Sequence, residues 1–219
     1  MLQLGSVFPN FKANTTIGEI DFHEWLGNSW GILFSHPADF TPVCTTELAR
    51  VAKLVPEFEK RGVKPIALSL DNVKNHLEWT KDIKAYGNLP NVTFPYPIIA
   101  DESRDLSVLL NMLDLDERDS KGMPLTARAV FIIDANKKYR LSILYPATVG
   151  RNFDEILRVI DALQLTDKHL IATPADWKQG DGVMVQPTVS AEVVAEKFPN
   201  AKTFELPSGK CYLRETPLP

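Results

Sequence analysis

Cys44 is the residue around which this sequence can do chemistry. It lies in the run His36-Pro37-Ala38-Asp39-Phe40-Thr41-Pro42-Val43-Cys44-Thr45-Thr46-Glu47. A thiol attacks as its thiolate, so a reactive cysteine needs positive potential beside it. The local pattern supplies one source. Trp30-Gly31-Ile32-Leu33-Phe34-Ser35 reads as a strand, and an amphipathic helical pattern follows the cysteine. Thr41 reads as the helix N-cap and Pro42 as the first helical residue, where a missing N–H costs nothing. Cys44 then falls in the first turn, where free N–H groups and the helix dipole favour an anion. A lone cysteine is more often a small buried apolar side chain than a catalyst. The Thr-Pro-x-Cys helix start shifts the balance toward catalysis.

The elements that must position this thiol can be read along the chain. Leu48, Val51, Ala52, Val55 and Phe58 recur at helical spacing over 45–60, and Gly62 closes that helix. Residues 64–70 read as a second strand. Asp71 or Asn72 caps a helix that runs to about Tyr86 and is closed by Gly87. Residues 94–100 hold a short strand broken by Pro95 and Pro97, and Asp101 and Ser103 offer caps for a helix through Met112. Residues 127–134 and 138–145 form an apolar hairpin around Ala135-Asn136-Lys137, and 153–163 is amphipathic. Strands alternating with helices, then a hairpin and a closing helix, give an α/β fold with a mixed central sheet, a thioredoxin-like layout. After about residue 170 prolines accumulate up to Pro219. Residues 181–187 and 210–213 read as short strands and 191–197 as a short helix. The expected domains are 1–168 and a small C-terminal extension, 169–219.

Bulk properties exclude several classes. The chain has 219 residues, 44% hydrophobic and 24% charged, which is ordinary for a soluble globular protein. A net charge of -4 offers no basic footprint for nucleic acid. No apolar run approaches the ~20 residues of a membrane span. Met1-Leu2-Gln3-Leu4-Gly5-Ser6 does not read as a secretory signal. Two cysteines make no disulfide scaffold, so a reducing, cytoplasmic location is expected.

The motif residues resemble a known family. Pro37-x-x-x-Thr41-x-x-Cys44 is similar to the active-site pattern of peroxiredoxins, and Thr126-Ala127-Arg128 resembles the segment carrying that family's active-site arginine. Ser35-His36-Pro37, the run from Val43 to Leu48, the run from Leu144 to Phe153, and Ala172-Thr173-Pro174-Ala175-Asp176-Trp177 resemble the 1-Cys, peroxiredoxin 6 subfamily. The resemblance covers essentially the whole chain. It implies a thiol peroxidase that reduces hydrogen peroxide and organic or lipid hydroperoxides, in antioxidant defence and redox homeostasis. No metal, haem or other bound cofactor is implied. Glutathione or another small thiol would be the reductant, a glutathione S-transferase the helper, and a homodimer the assembly. Cys44 would be the nucleophile, Arg128 the cation on thiolate and peroxide, Thr41 a hydroxyl donor and Pro37 a shield from water. Each has a plainer alternative: Thr41 as a cap only, Arg128 as an ion-pair partner, Pro37 as a strand end. Glu47 either orients an arginine or is a first-turn acid. His36 either tunes substrate entry or is a satisfied half-buried imidazole. Arg151 either supports the pocket or lies on the surface. Cys211, in Gly209-Lys210-Cys211-Tyr212-Leu213, does not match the Val-Cys-Pro context of a resolving cysteine.

A second motif points elsewhere. Gly27-Asn28-Ser29-Trp30-Gly31 fits Gly-x-Ser-x-Gly, the nucleophile elbow of hydrolases. The resemblance adds a calcium-independent phospholipase A2 activity in which Ser29 and His23 match the serine and histidine. The matching aspartate position holds Asn136, which cannot stabilise an imidazolium as a carboxylate does. Ser29 also precedes a strand, and the plainer reading is a turn, with His23-Glu24-Trp25-Leu26 a short helical turn. A third reading is a redox-dependent binding or chaperone module that responds to Cys44 oxidation without turnover.

Overall fold

Ile32, Leu33 and Phe34 are fully buried, and a strand buried on both faces belongs at the centre of a sheet covered on both sides. The computed structural model, which describes residues 2–90 and 92–218, places them there. Met1, Asn91 and Pro219 lie outside the described residues. The order is β1 (Lys12–Thr15), β2 (Gly18–Asp21), α1 (Phe22–Leu26), β3 (Trp30–Ser35), α2 (Pro42–Lys60), β4 (Val63–Ser69), α3 (Val73–Gly87), β5 (Ile98–Ala100), α4 (Asp105–Leu109), β6 (Leu113–Arg118), β7 (Pro124–Thr126), β8 (Arg128–Ile133) and β9 (Tyr139–Tyr145). There follow α5 (Phe153–Lys168), β10 (Ile171–Ala172), β11 (Val183–Val185), α6 (Ala191–Lys197), β12 (Lys202–Thr203) and β13 (Arg214–Thr216).

The main sheet runs β2-β1-β5-β4-β3-β8-β9. β3, β4 and β5 are parallel, linked through α2 and α3, while β8 and β9 run antiparallel to the strand beside them. The sheet is therefore mixed, and the fold is the expected thioredoxin-like one. Register matters to the site. Gly31 to Phe34 pair with Ile133 to Val130, so Arg128 at the start of β8 lies toward the same end of the sheet as the Ser35 exit of β3.

The chain divides into two units, one ending at Phe153 and one beginning at Asp154. The first has a core built on Phe8, Phe22, Leu33, Ile66, Leu68, Ile99 and Phe131. The second has its own, built on Ile171, Trp177, Val183, Val185, Val189 and Phe198. Ala162 and Leu165 of α5 pack into that second core, which is why the division precedes the helix instead of following it at 168.

Several elements differ from the sequence reading. Asn88, at φ 50°, closes α3 in the left-handed conformation, not Gly87. Gly87 is needed for space: a Cβ there would lie 3.0 Å from Leu89 Cγ and 3.3 Å from Ala49 Cβ. The helix expected through Met112 is confined to α4, between Arg104 at φ 66° and Asn111 at φ 54°. Asp101 does cap it, its carboxylate accepting from the N–H groups of Leu106 and Ser107. The hairpin β6–β7 was not anticipated. The strand expected at 210–213 is instead β13, shifted past Leu213 and paired with β11 and β12.

Candidate active site

α2 begins at Pro42, with Thr41 as its N-cap in extended backbone (φ -115°, ψ 148°). The Thr41 hydroxyl makes no capping bond to the helix; it donates to the Ala38 carbonyl at 2.9 Å, tightening the turn before it. Thr45 Oγ1 donates back to the Thr41 carbonyl at 2.8 Å. Phe40 holds a left-handed φ of 53°, a strained conformation for a side chain branching into an aromatic ring. Cys44 therefore stands in the first turn of α2, its sulfur fully buried, and Pro37 is buried in the loop before it.

Positive charge reaches the sulfur from β8. Arg128 Nη1 donates to Cys44 Sγ at 3.4 Å and to Glu47 Oε2 at 2.8 Å. Its Nε and Nη2 both donate to the Ala147 carbonyl, at 2.9 and 2.6 Å. Glu47 sits past the first turn of α2 and is not a dipole-facing acid. It lies between two guanidinium groups, since Arg151 donates to it from its backbone N–H (2.7 Å), Nε (3.0 Å) and Nη2 (2.6 Å). Arg151 Nη1 also donates to the Ala129 carbonyl at 2.8 Å, and its guanidinium stacks near Phe34 and Phe153. Arg151 is thus an interior residue, not a surface one. Burial pushes the Glu47 carboxyl up, but the hydrogen bonds and charge of Arg151, with the charge of Arg128, hold it below the ordinary carboxylate range. One carboxylate orients two cations, and one of them touches sulfur.

His36 is fully buried. Its Nε2 lies 2.8 Å from Asp39 Oδ1, and Asp39 Oδ2 lies 2.6 Å from His76 Nδ1. Burial holds His36 below its ordinary value against the pull of Asp39. Burial also raises Asp39, but hydrogen bonds from the two imidazoles bring it down to about 2. Trp79 packs 5.1 Å from the His36 ring, and its Nε1–H donates to Thr45 Oγ1 at 3.1 Å. Asp39, His76 and Trp79 are the residues that sequence reasoning missed. His76 and Trp79 share one face of α3, but only the fold brings that face to the loop.

Ser29 is not brought together with His23. His23 Nε2 lies 2.8 Å from the Phe8 carbonyl oxygen, and Ser29 lies in the turn between α1 and β3. The order there is helix, turn, strand, the reverse of a nucleophile elbow. Asn136 sits in the β8–β9 turn, its N–H donating to Asp134 Oδ1. Both cysteines are free, and Cys211 is exposed. Among the described residues no group of three or more His, Cys, Asp or Glu side chains is gathered to hold a metal ion.

Known proteins resemble this chain over nearly their whole length. Residues 4–142 match the AhpC/TSA family, and residues 162–200 match the C-terminal domain of 1-Cys peroxiredoxin. The chain is 64% identical to peroxiredoxin-6 of Rattus norvegicus over 220 residues, covering 100% of this chain and 98% of that protein. The chain belongs to the 1-Cys, peroxiredoxin 6 subfamily of the peroxiredoxins. Peroxiredoxin-6 of Homo sapiens is 63% identical over the same coverage. The solved structure of a Cys-to-Ser mutant of Arenicola marina peroxiredoxin 6 superposes with a TM-score of 0.98 at 62% identity, covering 100% of this chain and 99% of that one. A yeast mitochondrial 1-Cys peroxiredoxin, studied for thiol resolution via glutathione/thioredoxin systems, gives a TM-score of 0.90 at 48% identity, covering 99% of this chain and 100% of that one. A peroxiredoxin is a thiol peroxidase, an oxidoreductase, and that is the enzyme class of this chain. Among its described residues, no helix is long and apolar enough to cross a membrane.

Proposed function

We propose that Cys44 is the peroxidatic nucleophile and that its substrates are hydrogen peroxide and organic or lipid hydroperoxides. The supporting observation is the 3.4 Å approach of Arg128 Nη1 to Cys44 Sγ, with the same nitrogen held by Glu47. The thiolate sulfur attacks the terminal peroxide oxygen. An S–O bond forms and the O–O bond breaks. The electron pair leaves with the other oxygen, which takes a proton and departs as water or alcohol. Sulfur is oxidised to Cys44–SOH and the peroxide is reduced. Arg128 stabilises charge as it moves from sulfur to the leaving oxygen, from a position fixed before reaction. Thr41, whose hydroxyl hydrogen is held by the Ala38 carbonyl, offers its hydroxyl oxygen as an acceptor to the peroxide O–H, and Pro37 keeps water from the reacting atoms. Glu47 and Arg151 hold Arg128 in place.

The sulfenic acid is returned to thiol by two external thiols: the first forms a mixed disulfide and releases water, the second releases Cys44. Glutathione suits this role, by analogy with the thiol systems of the yeast relative. A transferase presenting glutathione is the helper the family resemblance implies. A cytoplasmic setting suits two free cysteines. A homodimer is supported by β9, the last strand of the main sheet, which carries an exposed Leu144 near its end. A lipid-hydrolase step at Ser29 draws no support from the geometry around it.

Cys44→Ser is expected to abolish peroxide turnover with a thiol reductant, while Cys211→Ser keeps nearly the wild-type rate. Turnover retained in Cys44→Ser contradicts the assignment.

A further inference from the structure

Asp39 is a buried carboxylate that the peroxide chemistry does not use. His36, Asp39 and His76 side chains are all 0% exposed. His76 turns Nδ1 toward Asp39 Oδ2 at 2.6 Å, and its Nε2 lies 3.2 Å from the Ile99 carbonyl oxygen on β5. Ser69 Oγ donates to Asp39 Oδ1 at 3.3 Å, and the Asp39 N–H donates to Asp71 Oδ2 at 2.8 Å. The carboxylate is thus tied to Ser69 at the end of β4 and to His76 on α3. Trp79, one turn beyond His76, covers the His36 ring and holds Thr45, the neighbour of Cys44.

This arrangement decides where the proton on His36 sits. A neutral imidazole has one N–H, and a carboxylate only accepts. The hydrogen must therefore be on Nε2, facing Asp39. Nδ1 is left as a bare lone pair, buried and without a hydrogen-bond partner among the described residues. A buried polar atom left unpaired is destabilising and calls for an explanation in function. The ionisable groups around the ring are Asp39 from the loop, Asp71 from the segment between β4 and α3, and His76 from α3.

We propose that Asp39 and His76 are positioning residues for the reaction at Cys44: the carboxylate, anchored by His76, fixes His36 as its Nε2–H tautomer and keeps Nδ1 free as an acceptor in the loop that carries the site. The proposal rests on Cys44 as the attacking residue.

The test reads tautomer and rate separately. Full-length protein labelled with 15N-histidine reports both ring nitrogens of His36 by NMR, assigned with His36→Gln. The single-turnover rate of Cys44 oxidation by hydrogen peroxide is measured on the same samples. In the wild type His36 keeps a protonated Nε2 and a bare Nδ1 across neutral pH. Asp39→Asn is expected to release the tautomer and slow oxidation about tenfold. His76→Gln, which retains an N–H donor toward Asp39, keeps both readouts, while His76→Phe loses both. If Asp39→Asn does not fold, the His76 pair decides. An unchanged tautomer in folded Asp39→Asn or His76→Phe overturns the proposal, whether or not the rate falls, as does equal loss in the two His76 variants. The tautomer is read without peroxide, so a wild-type Cys44 that fails to react would instead overturn the nucleophile assignment.

Discussion

Arg128 holds three partners at once: the Cys44 sulfur, the Glu47 carboxylate and the Ala147 carbonyl. A guanidinium can do this because its donors diverge in a rigid plane, whereas a lysine presents one compact charge on a flexible stem. The contact to sulfur therefore comes with a fixed direction. Arg128→Ala is expected to slow peroxide attack at least tenfold, about 1.4 kcal/mol of transition-state stabilisation. Arg128→Lys should recover only part of that loss. A second-order rate constant unchanged in Arg128→Ala would leave Arg128 as a structural ion-pair partner only. Residue-scale legibility was uneven. Cys44, Thr41 and Pro42 were readable because a helix start is written in consecutive residues. Glu47 and Arg151 were visible as charges, but their pairing spans the distance from α2 to the segment after β9, and no local pattern records it. The Thr41 hydroxyl donates backward to the Ala38 carbonyl and does not accept from a first-turn N–H, a choice that the sequence leaves open.

At the scale of elements, α2 is the hub. It carries Cys44 in its first turn and Glu47 one turn later, and Glu47 ties the helix to β8 through Arg128 and to the segment after β9 through Arg151. All three charged side chains are nearly inaccessible to water. Removing one partner of such a buried group leaves the others uncompensated. Glu47→Ala is expected to cost about 3 kcal/mol of stability, measured by denaturant unfolding. The sign with pH follows from the depressed carboxyl. Its contribution is present above the ordinary value of 4.5 and is lost as pH falls through the lower folded value. The stability gap between wild type and Glu47→Ala should therefore be constant near neutrality and close in acid. A gap that widens in acid contradicts the ion-pair account. α2 was legible because its buried residues recur at helical spacing, and the β8–β9 hairpin because two apolar runs, the first buried at every position, flank a short polar turn. The β6–β7 hairpin and the exact place of β13 were not, since short edge pieces are set by the strands they pair with.

At the scale of the molecule, one unit carries the whole proposed site, and the other holds its own small core. The sole other thiol, Cys211, is exposed and sits in that second unit, in a context unlike a resolving cysteine. This peroxiredoxin is therefore expected to act as a one-thiol catalyst that depends on an external reductant. Intact mass of the reduced protein, taken after one equivalent of hydrogen peroxide with a sulfenic-acid trap present, tests this most directly. The predicted result is a single trapped adduct on Cys44, with Cys211 still free. A rapid Cys44–Cys211 disulfide, or no reaction at Cys44, would contradict it.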